Sequence, residues 1–181
     1  ERDIRIERVV LKQLVQEVVN GNKKLLITNG VFPAVSVDED FIVATDEKWL
    51  RIVLEQFITN AVKYTCEKGK KVYSTAESTG KGVLLTVRDE GIGIRSSDLK
   101  RVRNAFFTGE NGRLTGESTG MGLYIAAEVC QKLGHALDID SELGVGTTAT
   151  VLFENGGSGG RRGTVKTIGE VNELKKIDEG K

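Results

Sequence analysis

Thr45-Asp46-Glu47-Lys48-Trp49-Leu50-Arg51-Ile52-Val53-Leu54-Glu55-Gln56-Phe57-Ile58-Thr59-Asn60-Ala61-Val62-Lys63-Tyr64-Thr65-Cys66 is the stretch on which the fold turns. Leu50, Val53, Leu54, Phe57, Ile58 and Ala61 recur at three and four residues, which predicts a helix over about 46–66 with one buried stripe and a cap at Thr45-Asp46. Beside that stripe, Gln56, Asn60, Lys63 and Tyr64 share an arc of about 100°. Two amides, an ammonium and a phenol then point into one space.

Upstream, Ile4 to Val9 alternates like a half-buried strand, and Leu11, Leu14, Val15, Val18 and Val19 fall at helical spacing until Asn20-Gly21. Leu25-Leu26-Ile27-Thr28 and Phe41-Ile42-Val43-Ala44 read as short strands. Downstream, Lys71 to Glu77 and Val83 to Arg88 read as strands joined by a turn at Gly80 to Gly82. A polar, glycine-dotted region runs from Asp89 to Gly122, broken by Leu99, Val102 and Phe106-Phe107. A helix over about 122–133 and two strands, Ala136 to Asp140 and Thr147 to Phe153, close the pattern. This order predicts an α/β sandwich, one mixed sheet with helices packed on one face.

Composition bounds the function. The 26 Lys+Arg balance 26 Asp+Glu, so no bulk positive field exists to hold nucleic acid or an anionic membrane. No run reaches the roughly 18 apolar residues of a membrane span, which predicts a domain without membrane contact. Cys66 and Cys130 form no Cys-x-x-Cys pair, and read as reduced thiols with Cys130 in a helix core. The single histidine, His135, excludes a multi-histidine metal site and reads as a surface or turn residue. Glycine is about one residue in eight, with a single proline at Pro33, and this points to loops that need positive φ or close backbone approach.

The glycines cluster where phosphate chemistry would use them. Asp89-Glu90-Gly91-Ile92-Gly93-Ile94 places a carboxylate at a strand end with two glycines in the turn. Such a carboxylate accepts from an exocyclic amine, although Asp-Glu-Gly is also ordinary turn chemistry. Gly120-Met121-Gly122-Leu123 stands immediately before the second predicted helix, where unpaired N–H groups and the helix dipole favour an anion. Gly144-Val145-Gly146-Thr147 reads first as a hairpin turn. The polar stripe of the first helix suits Mg²⁺ through an amide oxygen, phosphate through Lys63 and a sugar or base beside Tyr64; a solvated rim is the alternative.

Asn60-Ala61-Val62-Lys63-Tyr64-Thr65, Asp89 to Ile94, Phe106-Phe107-Thr108-Gly109, Gly120 to Leu123 and Gly144 to Thr147 together resemble the N box, first glycine box, F box and second and third glycine boxes of bacterial sensor histidine kinases. The likeness spans about 1–154 and implies the Bergerat (GHKL) ATP-binding fold with a lid from about Thr108 to Thr119. It implies ATP and Mg²⁺ as cofactors, with Asn60 on the metal, Lys63 on phosphate, Tyr64 at the nucleoside and Asp89 on the adenine amine. Asn60, Lys63 and Gln56 would be the catalytic set. Gly91, Gly93, Ile94, Phe107, Thr119, Gly120, Met121, Gly122, Leu123 and Thr147 would complete the nucleotide pocket. The stretches Phe107 to Arg113, Glu117 to Tyr124 and Cys130 to His135 are similar to Gram-positive kinases that respond to cell-envelope antibiotics.

Two departures bear on activity. Hydrolytic members of the fold place a glutamate four residues before the asparagine, where this chain has Gln56, which favours kinase over ATPase chemistry. Arg103 stands where the family usually has an apolar residue before the paired phenylalanines. The resemblance implies partners of three kinds: ATP, a histidine-bearing dimerisation domain that this stretch does not contain, and through it a response regulator. It implies a cytoplasmic domain of a membrane-held parent, unable to autophosphorylate alone. A serine kinase of the anti-sigma type and a nucleotide-binding module fused to a peptide are the alternatives. Residues 155–181 begin with Gly156-Gly157-Ser158-Gly159-Gly160 and read as a linker and polar tail.

Overall fold

The computed structural model describes residues 3–108 and 119–154, with backbone alone at 105–108 and 119–121. In chain order the elements are β1 (Glu7–Val10), α1 (Leu11–Gly21), α2 (Lys23–Thr28), β2 (Phe32–Ser36), β3 (Ile42–Thr45), α3 (Glu47–Tyr64), β4 (Lys71–Thr79), β5 (Gly82–Asp89), α4 (Ser96–Thr108), α5 (Thr119–Leu133), β6 (Ala136–Glu142) and β7 (Gly146–Glu154). Five strands form a mixed sheet in the order β2-β4-β5-β7-β6, parallel at β2-β4 and antiparallel elsewhere. β1 and β3 make a separate antiparallel pair.

Strand alternation decides which face takes the helices. Val87 lies across from Ser74 and Ala149, and Leu85 across from Val151, so Val72, Leu85, Val87, Ala149, Val151, Leu137 and Ile139 share one face. All seven are buried in one core with the apolar stripes of the helices. On α3 that stripe is the predicted one, Leu50, Val53, Leu54, Phe57, Ile58 and Ala61, with Val62 added. Each fully buried Leu or Phe contributes about 1.5–3 kcal/mol, so this one helix is a major part of the core. Asp46 caps it by accepting from the Trp49 N–H at 3.1 Å and, through its other oxygen, from the Arg5 N–H at 2.7 Å. The first bond satisfies a donor that the helix start leaves unpaired.

Three readings of the sequence need correction. Leu25 to Thr28 belongs to the helix α2 and not to a strand. Leu26 alone points inward there, while Leu25 and Ile27 are 40% and 67% exposed, a single-sided pattern that so short a run cannot distinguish from a strand. The strand lies further on, in β2, and Pro33 fits it because β2 is an edge strand with one side free of pairing. The polar region after Asp89 contains the helix α4, whose inward contacts among the described side chains are Leu99 and Val102. Arg103 does not disturb that packing. Its guanidinium reaches over the edge strand β6, donating to the Ile139 carbonyl from Nε at 3.1 Å and Nη2 at 2.6 Å, with Asp138 and Asp140 at 3.8 and 3.7 Å. The third correction is that α5 begins at Thr119, so Gly120 and Gly122 lie inside its first turn.

Cys130 is buried in α5, as the helical spacing predicts, and burial pushes its thiol up to about 12. His135 sits in the turn between α5 and β6, as one of the two readings expects, but is half-buried there and not simply exposed. It packs edge-on against Phe153, with ring centroids 4.6 Å apart, and its Nε2 lies 2.8 Å from the Thr45 hydroxyl. Burial lowers its pKa from 6.5 to about 4. The unfolded chain therefore protonates first, and the stability protected by the neutral ring is full above pH 6.5 and lost as pH falls towards 4. The loss is on the order of 3 kcal/mol. His135→Gln should flatten the acid limb of a denaturation profile between those pH values, and an unchanged limb would place the titration elsewhere.

Candidate functional site

Asp89 ends β5 in the middle of the sheet and is 8% exposed. Its Oδ1 accepts from the Gly91 N–H at 2.9 Å and the Thr147 N–H at 3.2 Å. Burial raises the carboxyl's pKa above the usual carboxylate value, and the two amide bonds pull it partly back. Both bonds fall on one oxygen; among the described residues the other has no recorded protein partner. A buried carboxylate held with one edge unused is an acceptor waiting for a donor.

The turn after Asp89 is clamped from three sides. Ile92 N–H donates to the Tyr64 carbonyl at 2.9 Å, Gly144 N–H donates to the Ile92 carbonyl at 2.8 Å, and Ile94 N–H donates to the Ser141 hydroxyl at 2.8 Å. The β6-β7 hairpin turn is thereby fastened to the turn that follows β5. Gly93 has φ of +73°, and a Cβ there would stand 2.1 Å from the Glu142 carbonyl oxygen. A Cβ at Gly146 would meet the Asp89 carbonyl oxygen at the same distance, 2.1 Å. Gly91 lies against the Tyr64 carbonyl. Gly91 and Gly93 let backbone approach backbone and so hold Asp89 in place, and neither is among the residues that line the pocket beside it.

The pocket beside Asp89 is lined by Phe57, Asn60, Tyr64, Val87, Ile94, Leu123, Thr147 and Ala149. Of the expected residues it brings together Asn60, Tyr64, Asp89, Ile94, Leu123 and Thr147. Asn60 Nδ2 and Tyr64 OH are buried with no hydrogen-bond partner among the described residues. A buried polar group left unpaired costs about 1–3 kcal/mol, so two on one wall mark a place where a ligand supplies the partners.

Gln56 lies one turn before Asn60, at the crossing of α3 and α5. A Cβ at Gly122 would stand 2.6 Å from Gln56 Oε1 and 3.4 Å from Asn60 Oδ1, so the start of α5 comes down directly on the two amides. That is the N-terminus of a helix, with its unpaired N–H groups, set beside the polar stripe. Lys63 stands apart: it is exposed, outside the pocket wall, with Nζ 5.7 Å from the Tyr64 ring centre. The side chains of Phe107, Thr119 and Met121, and residues 109–118 of the expected lid, lie outside the described residues. Phe57, Val87 and Ala149 line the pocket too; the helical period reads Phe57 as core, because a pocket floor and a core have the same hydrophobic pattern, and the other two only as strand residues. Ser141 gave no signal, being one polar residue in a closing strand.

The histidine kinase-, DNA gyrase B-, and HSP90-like ATPase family matches over residues 45–156. The chain is 41% identical over 153 residues to sensor histidine kinase YxdK of Bacillus subtilis, covering 84% of this chain and 47% of that protein. It is 31% identical to sensor protein kinase GraS of Staphylococcus aureus, covering 84% and 43%. Against sensor protein BceS of Bacillus subtilis the identity is 30%, covering 84% and 45%. The chain thus spans under half the length of these relatives, which fall in the Gram-positive group to which the motifs are similar. Among solved structures, the catalytic domain of histidine kinase ThkA has a TM-score of 0.68 at 20% identity, covering 83% of this chain and 95% of that one. Full-length ShkA, solved with AMPPNP, has a TM-score of 0.68 at 26% identity, covering 83% and 31%. With the sheet order, the Asp89 turn and the two unpaired groups on α3 in place, the chain belongs to the histidine kinase-, DNA gyrase B- and HSP90-like ATPase family.

Proposed function

We propose that this domain binds ATP with its adenine on Asp89 and transfers the γ-phosphoryl group to a histidine on a dimerising helical hairpin of the parent kinase. The observation that carries the reading is the pocket wall itself: a buried carboxylate with an unused edge and two unpaired buried polar atoms facing one space. The free edge of Asp89 accepts from the adenine amine, and the apolar walls of Ile94, Val87 and Ala149 suit the faces of a flat base. Tyr64 OH and Asn60 Nδ2 gain partners from the nucleoside and phosphates. The unpaired N–H groups in the first turn of α5, at Thr119, Gly120 and Met121, meet the phosphates with the helix dipole behind them.

The Asn60 side chain suits Mg²⁺ in a particular way. No group of three or more His, Cys, Asp or Glu able to hold a metal occurs among the described residues. An amide oxygen, with the triphosphate and water supplying the other ligands, is a donor set that Mg²⁺ accepts. When bound there it would neutralise charge on the triphosphate. The protein's own share of catalysis is positioning and electrostatics, as expected where no covalent step falls to the enzyme. Lys63, on the rim, adds positive charge without entering the pocket. Gln56, being an amide, takes no proton from water, which favours phosphoryl transfer to an acceptor on another domain over hydrolysis.

The likeness to ShkA, solved with AMPPNP, and to ThkA, solved with the response regulator TrrA, supports the nucleotide and a response regulator as downstream partner. The parent is read as a membrane-held sensor, with residues 1–154 as its cytoplasmic nucleotide domain and 155–181 as a linker and tail. Among the described residues no helix is long and apolar enough to cross a membrane.

Asp89→Asn keeps an acceptor for Gly91 and Thr147 but loses the charge that burial disfavours. Its folding stability should be equal or higher, while ATP affinity measured by calorimetry falls about 10- to 150-fold, the worth of one charge-assisted hydrogen bond. Unchanged affinity would remove Asp89 from adenine recognition. Asn60→Asp should lower phosphotransfer to a separately supplied histidine-bearing hairpin by about a hundredfold while Mg²⁺-free ATP binding changes only a few-fold. Acid-stable label on that hairpin would instead indicate a serine acceptor.

A further inference from the structure

We propose that Ser141 is a positioning residue for the base: it holds the Thr147 hydroxyl as an acceptor and thereby sets a preference for 6-amino over 6-oxo purines. The inference rests on the ATP reading above and names a determinant of its specificity.

A serine hydroxyl has one proton to give and two lone pairs to receive with. Ser141 has three partners. The Ile94 N–H donates to its oxygen at 2.8 Å, the Gly146 carbonyl stands 3.0 Å away and can only accept, and Thr147 Oγ1 lies at 2.8 Å. With its proton given to Gly146, Ser141 meets Thr147 only through a lone pair. In the arrangement that satisfies all three partners, Thr147 donates to Ser141. Its proton is turned away from the pocket, and its oxygen presents lone pairs to the space it lines.

Thr147 stands next to the carboxylate, since its own N–H donates to Asp89 Oδ1 at 3.2 Å. Two acceptors, the Asp89 carboxylate and the Thr147 oxygen, then border the same end of the pocket. A 6-amino group brings two hydrogens to such a place, whereas a 6-oxo group brings lone pairs against lone pairs. Without Ser141 the Thr147 hydroxyl turns freely and donates to the oxo group. Ser141 touches no base in this arrangement and acts only through Thr147 and the Ile94 turn.

The test titrates ATP and inosine triphosphate, which differ at this position of the ring, against the 181-residue chain and its Ser141→Ala, Ser141→Thr and Thr147→Val variants, with a melting temperature for each. Ser141→Ala should compress the ratio of ATP to inosine triphosphate affinity about five- to tenfold, the worth of one neutral hydrogen bond. Ser141→Thr, which keeps the hydroxyl, should retain the ratio. In a Thr147→Val background the further change Ser141→Ala should leave the ratio where it is, because the group it positions is gone. Equal loss for both nucleotides with an unchanged ratio is what a purely structural serine gives, and would overturn the proposal. If Ser141→Ala does not fold, Ser141→Cys carries the same ratio criterion, since a thiol is too weak a donor to Gly146 to hold the network. Binding of neither nucleotide by the unaltered chain would overturn the ATP reading as well. An ATP affinity that depends on Asp89 with a ratio insensitive to Ser141 would overturn this inference alone.

Discussion

The buried carboxylate of Asp89 is the constraint around which the rest of the site is arranged. It ends a central strand, is desolvated enough to raise its pKa, and is kept in place by two backbone N–H groups from two different segments. Those donors come from the turn that follows it and from the first residues of β7, so the carboxylate ties the sheet's centre to both loops that border the pocket. The same loops are joined to each other by the Gly144 to Ile92 and Ile94 to Ser141 bonds. A glycine at 93 and another at 146 are what allow those backbones to approach so closely. The glycine-rich motifs thus work first on the protein's own backbone, and the ligand profits from the carboxylate they immobilise.

The opposite wall is built differently. α3 carries its apolar stripe into the core and its polar stripe along the adjoining arc, so the rotation of the helix that buries Phe57 and Ala61 also aims Asn60 and Tyr64. Packing sets the site's geometry without any dedicated scaffold. The start of α5 then closes on Gln56 and Asn60 at a glycine, because a side chain at 122 would occupy the space of the Gln56 amide. The Asp46 cap, shared between the first turn of α3 and the entering backbone at Arg5, fixes where that helix begins.

Much of this was legible in the residues, and the failures have physical causes. α3 was readable because its stripe is long and its cap unambiguous, and the pairing of Asp89 with the polar stripe followed from five ordered motifs. α2 was misread because six residues with one buried position have no usable period. α4 was missed because its 13 residues bury only two of the side chains described there, and its charged face resembles a loop. The first turn of α5 was assigned to a loop because two glycines in four residues argue against a helix, yet tertiary contact with α3 overrides that propensity. Lys63 shares the polar arc of α3 but is exposed, so it stands at the rim and not in the pocket wall. Ser141 was invisible because its importance lies in three bonds across the chain and not in any local pattern.

Arg103 shows how an apparent defect is absorbed. An arginine in place of an apolar residue would leave a buried charge if it pointed inward, and a buried unpaired charge is far more costly than a lost methylene contact. Here the guanidinium runs across the edge of the sheet to a carbonyl that strand pairing leaves open, with two carboxylates beside it. The charge stays hydrated and paired while the edge of β6, otherwise open to pairing with another strand, is covered. The chain's zero net charge is consistent with this habit of local compensation. A triphosphate entering such a site must likewise be neutralised locally, by backbone N–H groups, the rim lysine and the ion it brings.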